Sequence, residues 1–311
     1  MLIKKYTDNN KKEWDAFLSK AKNTHFFFKR DYMEYHKDRF YDFSLMVFND
    51  KGDIVALLPA SLDGDIVISH GGLTFGGFVV GDKMTTELML EIFTLVREFL
   101  KGHNITKLVY KCIPYIYYNY PTEEDKYALF INNANLIRRD VSTTIYLPER
   151  YKYQERRRRM INKARKNNIA VKKSNDYKAY IELLNNVLHK RHDTIAVHNA
   201  KEITLLAELF PENIRLYIAE HDDELLAGTV LFINGNVVHT QYMANSDKGR
   251  ELGALDCVLD YLITTEYASY KYFDFGISNE NQGRYLNRGL IGQKEGFGAR
   301  AVVHDFYEID I

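Results

Sequence analysis

The sequence holds two cysteines in 311 residues, and both lie in apolar surroundings far apart, at Cys112 and Cys257. That excludes a disulfide framework and a cysteine metal pattern. No stretch approaches the roughly 20 apolar residues that a membrane-spanning helix needs. The opening run Met1-Leu2-Ile3-Lys4-Lys5-Tyr6 has no apolar core of a secretory signal. Charge of neither sign is in excess: 42 basic residues stand against 42 acidic, which argues against a general polyanion binder. No Gly/Ser-rich linker divides the chain. These absences lead us to expect a reduced, cytoplasmic protein with no membrane insertion and no metal. His189, His192 and Asp193, with His198 nearby, read as solvated or structural side chains rather than as metal ligands.

Apolar material, by contrast, is ample. Hydrophobic residues make up 46% and aromatics 14%, enough for two cores. The sequence also repeats itself at long range. Shifted from Asp53 onto Glu224, Asp53-Ile54-Val55-Ala56 and Ser61-Leu62-Asp63-Gly64-Asp65 fall on Glu224-Leu225-Leu226-Ala227 and Phe232-Ile233-Asn234-Gly235-Asn236. Each copy reads as strand, Asp-Gly or Asn-Gly turn, and strand. Such turns need positive φ at both central residues and are the strongest short hairpin signal. Each hairpin leads to an amphipathic helix, over 87–100 and 250–268, and then to a short strand, over 107–110 and 272–274. A repeat of this length predicts two copies of one domain, 1–141 and 142–311.

Further elements follow from periodicity. Helices are predicted at 11–21, 31–40, 176–191 and 200–209, and strands at 44–48, 54–62, 214–219, 225–233 and 237–243. The mix of helices, antiparallel hairpins and one later parallel strand defines an α/β (α+β) class. Gly71-Gly72-Leu73-Thr74-Phe75-Gly76-Gly77 lets the backbone bend, or approach a ligand closely. Residues 114–127 read as a tyrosine-rich exposed loop.

Two segments suggest chemistry. The first is Asn245-Ser246-Asp247-Lys248-Gly249-Arg250-Glu251-Leu252-Gly253-Ala254, which joins the strand 237–243 to the next helix. Free N–H groups and the positive end of a helix dipole there suit an anion, and Arg250 adds a cation. The second is the run from Arg150 to Lys173, with eleven Lys/Arg and one acid, Glu155. On a helix packed through Met160, Ile161 and Ala164, Arg157 lies on the inward side. There it needs either a carboxylate or an anionic ligand.

The order strand, hairpin, strand, Arg-x-x-Gly loop, helix and strand resembles the GNAT superfamily of acyl-CoA N-acyltransferases. The whole chain resembles its tandem, FemAB-like group. Arg157-Arg158-x-x-Ile161-x-Lys163-Ala164, Phe273-Asp274-Phe275-Gly276 and Leu290-x-x-Gln293-Lys294-x-x-Phe297-Gly298-Ala299 carry the second resemblance. It implies two tandem GNAT-type domains, each a mixed twisted sheet flanked by helices. It also implies transfer of an acyl group, acetyl above all, from acyl-CoA to an amine of a metabolite or of a cell-envelope or polysaccharide precursor.

For this sequence the resemblance assigns Lys248, Gly249, Arg250, Gly253 and Ala254 to the donor's diphosphate, and Met243 and Ala244 to its pantetheine arm. Leu255 departs from the family's final Gly/Ala. His239 and Gln241 share one strand face, with His239 the candidate base and Gln241, Arg157 and Arg158 facing a small-molecule amine acceptor that can bear a phosphate. Counting back five residues from Phe297 reaches Gly292, so the family's usual tyrosine acid is missing. Tyr285, two turns further up if the helix is continuous, is the substitute. Two other readings stay open. One is a FemX-like aminoacyl-tRNA-dependent transferase of peptidoglycan synthesis, with tRNA as partner. The other is a binding protein with a decayed site.

Overall fold

In a computed structural model, the structure describes the backbone of residues 1–311 and the side chains of all but Arg191 and His192. His192 therefore lies outside the described side chains. The chain forms two compact units. Unit 1 is Met1–Asp140 with 281–285 and Val303–Ile311; unit 2 is Val141–Glu280 with Leu286–Val302.

In unit 1, strands β1 (Leu2–Lys5), β2 (Tyr41–Asp42), β3 (Leu45–Phe48), β4 (Ile54–Leu58), β5 (Ser61–Asp63), β6 (Ile66–Ile68), β7 (Val79–Val80) and β8 (Lys107–Lys111) accompany helices α1 (Lys11–Leu18), α2 (Arg30–Met33), α3 (Thr86–Gly102) and α4 (Glu124–Ile131). One sheet has the order β1-β3-β4-β7, and β8-β6-β5-β2 are neighbours in a second. Met89, Ile92, Phe93, Val96 and Leu100 recur at helical spacing along α3 and are all buried in the core of this unit. Thr85 caps that helix through the Leu88 amide at 3.2 Å.

Two expectations for unit 1 need correcting. The strand expected over 54–62 is interrupted at Pro59, so β4 and β5 belong to different sheets. A proline cannot donate to a ladder, and here it marks the corner. The helix expected over 31–40 stops after Met33, followed by one 3-10 turn at Glu34–His36. Its aromatic residues turn inward there, with Tyr32 and His36 buried.

In unit 2 the order is β10 (Ala170–Ser174), β11 (Ile214–His221), β12 (Glu224–Asn234), β13 (Val237–Asn245), β14 (Tyr272–Ile277) and β9 (Asn135–Tyr146). Helices α5 (Glu155–Lys166), α6 (Tyr177–His192) and α7 (Ala200–Leu209) precede the hairpin. Asn199 and Glu202 form a capping box at the start of α7, which explains its predicted boundary. The helix expected over 250–268 is broken into α8 (Asp247–Leu252), α9 (Ala254–Tyr261) and a π turn at Leu262–Glu266. Gly253, at φ +79°, makes the break.

The repeat holds at the level of register. In the first copy β6 and β8 are parallel, pairing Ile66 with Lys107, Val67 with Leu108 and Ile68 with Val109. In the second, β13 and β14 are parallel, pairing Val237 with Tyr272, Val238 with Phe273 and His239 with Asp274.

Candidate functional site

The pairing of β13 with β14 ends at His239 and Asp274, after three residue pairs. Beyond it β13 bulges against β12, with Val230 opposite Tyr242 but Leu231 opposite Thr240, so Gln241 is the extra residue. β14 changes course at Gly276, whose φ is +73°. The two strands therefore part, and His239 and Asp274 sit at the fork.

Asp274 is fully buried and densely held. Ser142 and Thr144, both from β9, each donate a hydroxyl to its Oδ1 at 2.6 Å. Its Oδ2 lies 2.6 Å from His239 Nδ1. A carboxylate at that distance makes Nδ1 the donor and orients the ring, the geometry in which a histidine can serve as an oriented general base through Nε2. Gly276 keeps this space open: a Cβ there would meet His239 Cε1 at 3.1 Å.

Lys294, on helix α10 (Arg288–Glu295), completes the cluster. Its ammonium donates to the carbonyls of Gly276 at 2.8 Å and Ile277 at 2.7 Å. The positive φ of Gly276 lets two successive carbonyls converge on a single cation, just past the register shift of β14 against β9 between Asp274 and Ile277. Burial pulls the Lys294 pKa down to about 8, against the opposing effect of Asp274.

A cavity of about 440 Å³ lies in the same unit. Met243, Asn245 and Arg250 line it from β13 and α8, Leu255 and Asp256 from α9, and Arg156, Arg157 and Met160 from α5. Three arginines against one aspartate make its polar end cationic. Arg157 Nη1 is 2.6 Å from Asp256 Oδ1, and both are buried. Four residues on, Asp260 takes Arg165 at 2.6 Å, so α9 presents two acids to two arginines of α5. Burial raises the pKa of both aspartates, while the arginines oppose it.

The expected residues fall out as follows. His239, Gln241, Met243 and Ala244 are all on β13, Met243 against the cavity and Ala244 buried. Arg250 lines the cavity; Lys248 is ion-paired with Glu224 on the surface. Gly249 and Gly253 are required by packing. Cβ atoms there would meet the Leu226 carbonyl at 2.5 Å and the Met160 carbonyl at 2.4 Å. Ala254 is wholly buried at the start of α9. Arg158 is exposed and paired with Glu155 at 2.5 Å. Tyr285 is not on the last helix. It sits in a two-residue strand, Tyr285–Leu286, is exposed, and groups with unit 1, so the helix is not continuous and the two-turn spacing from Gly292 does not apply. Sequence reasoning missed Asp274 and Lys294 as site residues. The available signal was an acid between two phenylalanines on an apolar strand, and a lysine in the Gln293-Lys294-x-x-Phe297-Gly298 string.

The fold is that of two GNAT-type domains in tandem, each a mixed, twisted sheet flanked by helices. Residues 151–285 match the family model described as an acetyltransferase (GNAT) domain. The crystal structure of FemX is similar over 98% of this chain and 97% of its own, at 13% identity and a TM-score of 0.68. L-PGS from Bacillus licheniformis covers 86% of this chain, over 83% of its own, at 11% identity and a TM-score of 0.59. The tandem GNAT protein of the clavulanic acid biosynthesis pathway covers 99% of this chain and 98% of its own, at 12% identity and a TM-score of 0.54. No curated protein matches the sequence. Among the described residues no helix is long and apolar enough to cross a membrane, and no cluster of three or more His, Cys, Asp or Glu side chains could hold a metal.

Proposed function

We propose that this protein is an N-acyltransferase whose unit 2 takes an acyl-CoA, acetyl-CoA above all, and passes the acyl group to an amine of a metabolite or of an envelope or polysaccharide precursor. The observation that carries this is the fork: β13 and β14 part at a histidine oriented by a buried aspartate, whereas the matching register of the first copy holds Ile68 and Val109. The thioester arm would lie along β13 past Met243 and Ala244, with the phosphates toward Arg250, Arg156 and Arg157. His239 Nε2 would take the proton from the attacking amine as the C–N bond forms. The C–S bond then breaks and coenzyme A leaves as the thiolate. Thiol release from acetyl-CoA in the presence of a panel of amines tests this reading. His239→Gln should lower that rate by about 10²–10⁴-fold with donor affinity kept; equal rates would exclude His239 as the base.

A second reading, an aminoacyl-tRNA donor, is favoured by the outward face of α5, where Arg158 and Arg159 are exposed, and by the likeness to FemX. It predicts tRNA binding that weakens steeply with salt.

A further inference from the structure

An alkylamine arrives at neutral pH as its ammonium, because its pKa lies near that of a lysine side chain, about 10.4. It must lose one proton before it can attack an acyl carbon, and a second as the C–N bond forms. His239 accounts for one of the two. The strand face that carries His239 also carries Tyr242, whose hydroxyl is held by His198.

The bulge in β13 puts Tyr242 there. His239 stands opposite Phe232 of β12, and Tyr242 stands opposite Val230, two steps along one face of that strand. Without the extra residue Gln241, position 242 would turn to the other face. Tyr242 therefore follows His239 on the same face at a backbone spacing of about 7 Å. A nitrogen between the two side chains would lie within hydrogen-bond reach of both, at about 3 Å from each. Both side chains keep partial exposure, and the pairing of β14 with β13 has ended before Tyr242 is reached.

The Tyr242 hydroxyl has a defined outlet. The His198 backbone N–H donates to its oxygen at 3.3 Å, and His198 Nδ1 lies 2.5 Å from it. With a donor already on the oxygen, the phenolic proton is directed to Nδ1. His198 is 5% exposed and directly precedes Asn199, the N-cap of α7. Two residues earlier, the Ala196 N–H donates to Asn185 of α6 at 2.9 Å, so two helices position the loop. Burial raises the Tyr242 pKa above its ordinary value, with hydrogen bonds from His198 and Gln241 opposing it. The side chain is therefore a phenol at neutral pH: it can pass a proton on, but it does not stay ionised. Glu202 of α7 and Tyr180 of α6 also act on it electrostatically, β12 meets it with the uncharged Val230, and His239 along its own strand is paired with Asp274. The carboxylate of Glu202 favours a cation on this side of the strand.

We propose that Tyr242 and His198 form a proton relay that unloads the incoming ammonium. The Tyr242 oxygen takes a proton from the ammonium as its own proton passes to His198 Nδ1. The phenol is regenerated, the amine becomes neutral, and the imidazole is a cation until it returns the proton to solvent. The neutral amine then attacks, with His239 taking the second proton. The relay rests on the acyl-transfer reading of the fork and narrows its acceptor to an alkylamine, which needs unloading, rather than an arylamine, which arrives uncharged.

The test is the pH dependence of acetyl transfer by the full chain, between about pH 6 and about pH 10, with acetyl-CoA and a panel of alkylamines that includes L-lysine, putrescine and D-glucosamine. In the parent, kcat/KM for the amine levels off near neutral pH. In Tyr242→Phe and in His198→Gln it is lower by about a hundredfold or more at neutral pH, and the deficit narrows about tenfold per pH unit toward the amine's own pKa. Acetyl-CoA affinity, read by calorimetry, is kept. The two variants report independently, so loss of folding in one leaves the other. A deficit of the same size at every pH belongs to a displaced loop and overturns the relay, as does a variant that keeps the parent's profile. A parent that releases no thiol with any amine of the panel overturns acyl transfer itself, and the relay with it.

Discussion

At the scale of single residues, the proposed role of His239 as a base depends on what holds it. Its carboxylate partner is anchored by two hydroxyls from another strand, so the imidazole has one orientation to adopt. Asp274→Asn keeps the shape but places an amide donor where an acceptor is needed. We expect kcat to fall by about 10²–10⁴-fold while acetyl-CoA affinity is retained; steady-state kinetics beside calorimetric titration will show it. Lys294 makes a different prediction, about stability. Its folded pKa of about 8 is below the ordinary 10.5 of an unfolded lysine, so between these values the unfolded chain binds the extra proton. The cost of burying the charge is fully present below about pH 8 and disappears as pH rises toward 10.5. Melting temperatures of the parent relative to Lys294→Met should therefore climb across that window. A flat difference would mean that the ammonium is not buried as described.

At the scale of elements, the basic helix α5 and helix α9 are joined by Arg157–Asp256 and Arg165–Asp260. Arg157→Ala leaves a buried carboxylate without its partner and should cost about 3–5 kcal/mol, read by denaturant unfolding. Arg157→Met combined with Asp256→Leu should recover most of that stability, because no charge is then stranded. If the double variant is stable yet binds donor as the parent does, Arg157 serves the fold alone. Gly253→Val must fail by both routes, positive φ and a Cβ 2.4 Å from the Met160 carbonyl; the φ strain alone costs about 1–3 kcal/mol in chemical denaturation.

Much of this level was legible in the sequence. Apolar spacing and Asn/Asp-Gly turns placed the hairpins, α3 and α7, and the stripe of Met160, Ile161 and Ala164 correctly turned Arg157 inward. The partner Asp256 was not legible, because it comes from a helix 99 residues away in sequence. Nor was the break at Gly253, where a loop motif and a helix C-cap look alike in one sequence. Pro59 was the visible sign that β4 and β5 would separate, but the apolar run Ile54–Leu58 before it and the alternating Ser61-Leu62-Asp63 after it read together as one strand and concealed it.

At the scale of the molecule, the two copies share a topology and a register but not a site. Ile68 and Val109 stand where His239 and Asp274 stand, so the first copy has packing at its fork and the second has titratable groups. Duplication was readable because turns and apolar runs survive divergence. The dyad was half-readable: His239 was visible on its strand, whereas Asp274 needed the parallel register to bring it alongside. The glycine-rich segment 71–77, expected to bend or to approach a ligand, is explained by packing at Gly76 and Gly77. There Cβ atoms would meet the Ser69 carbonyl at 2.0 Å and the Tyr110 hydroxyl at 2.7 Å. The most direct test of the central claim is calorimetric titration of the intact chain with acetyl-CoA, alongside Arg250→Ala. The account predicts one site per chain, weakened about ten- to a hundredfold by the substitution through loss of a charge-assisted hydrogen bond. Two equivalent sites per chain, or binding indifferent to Arg250, would contradict it.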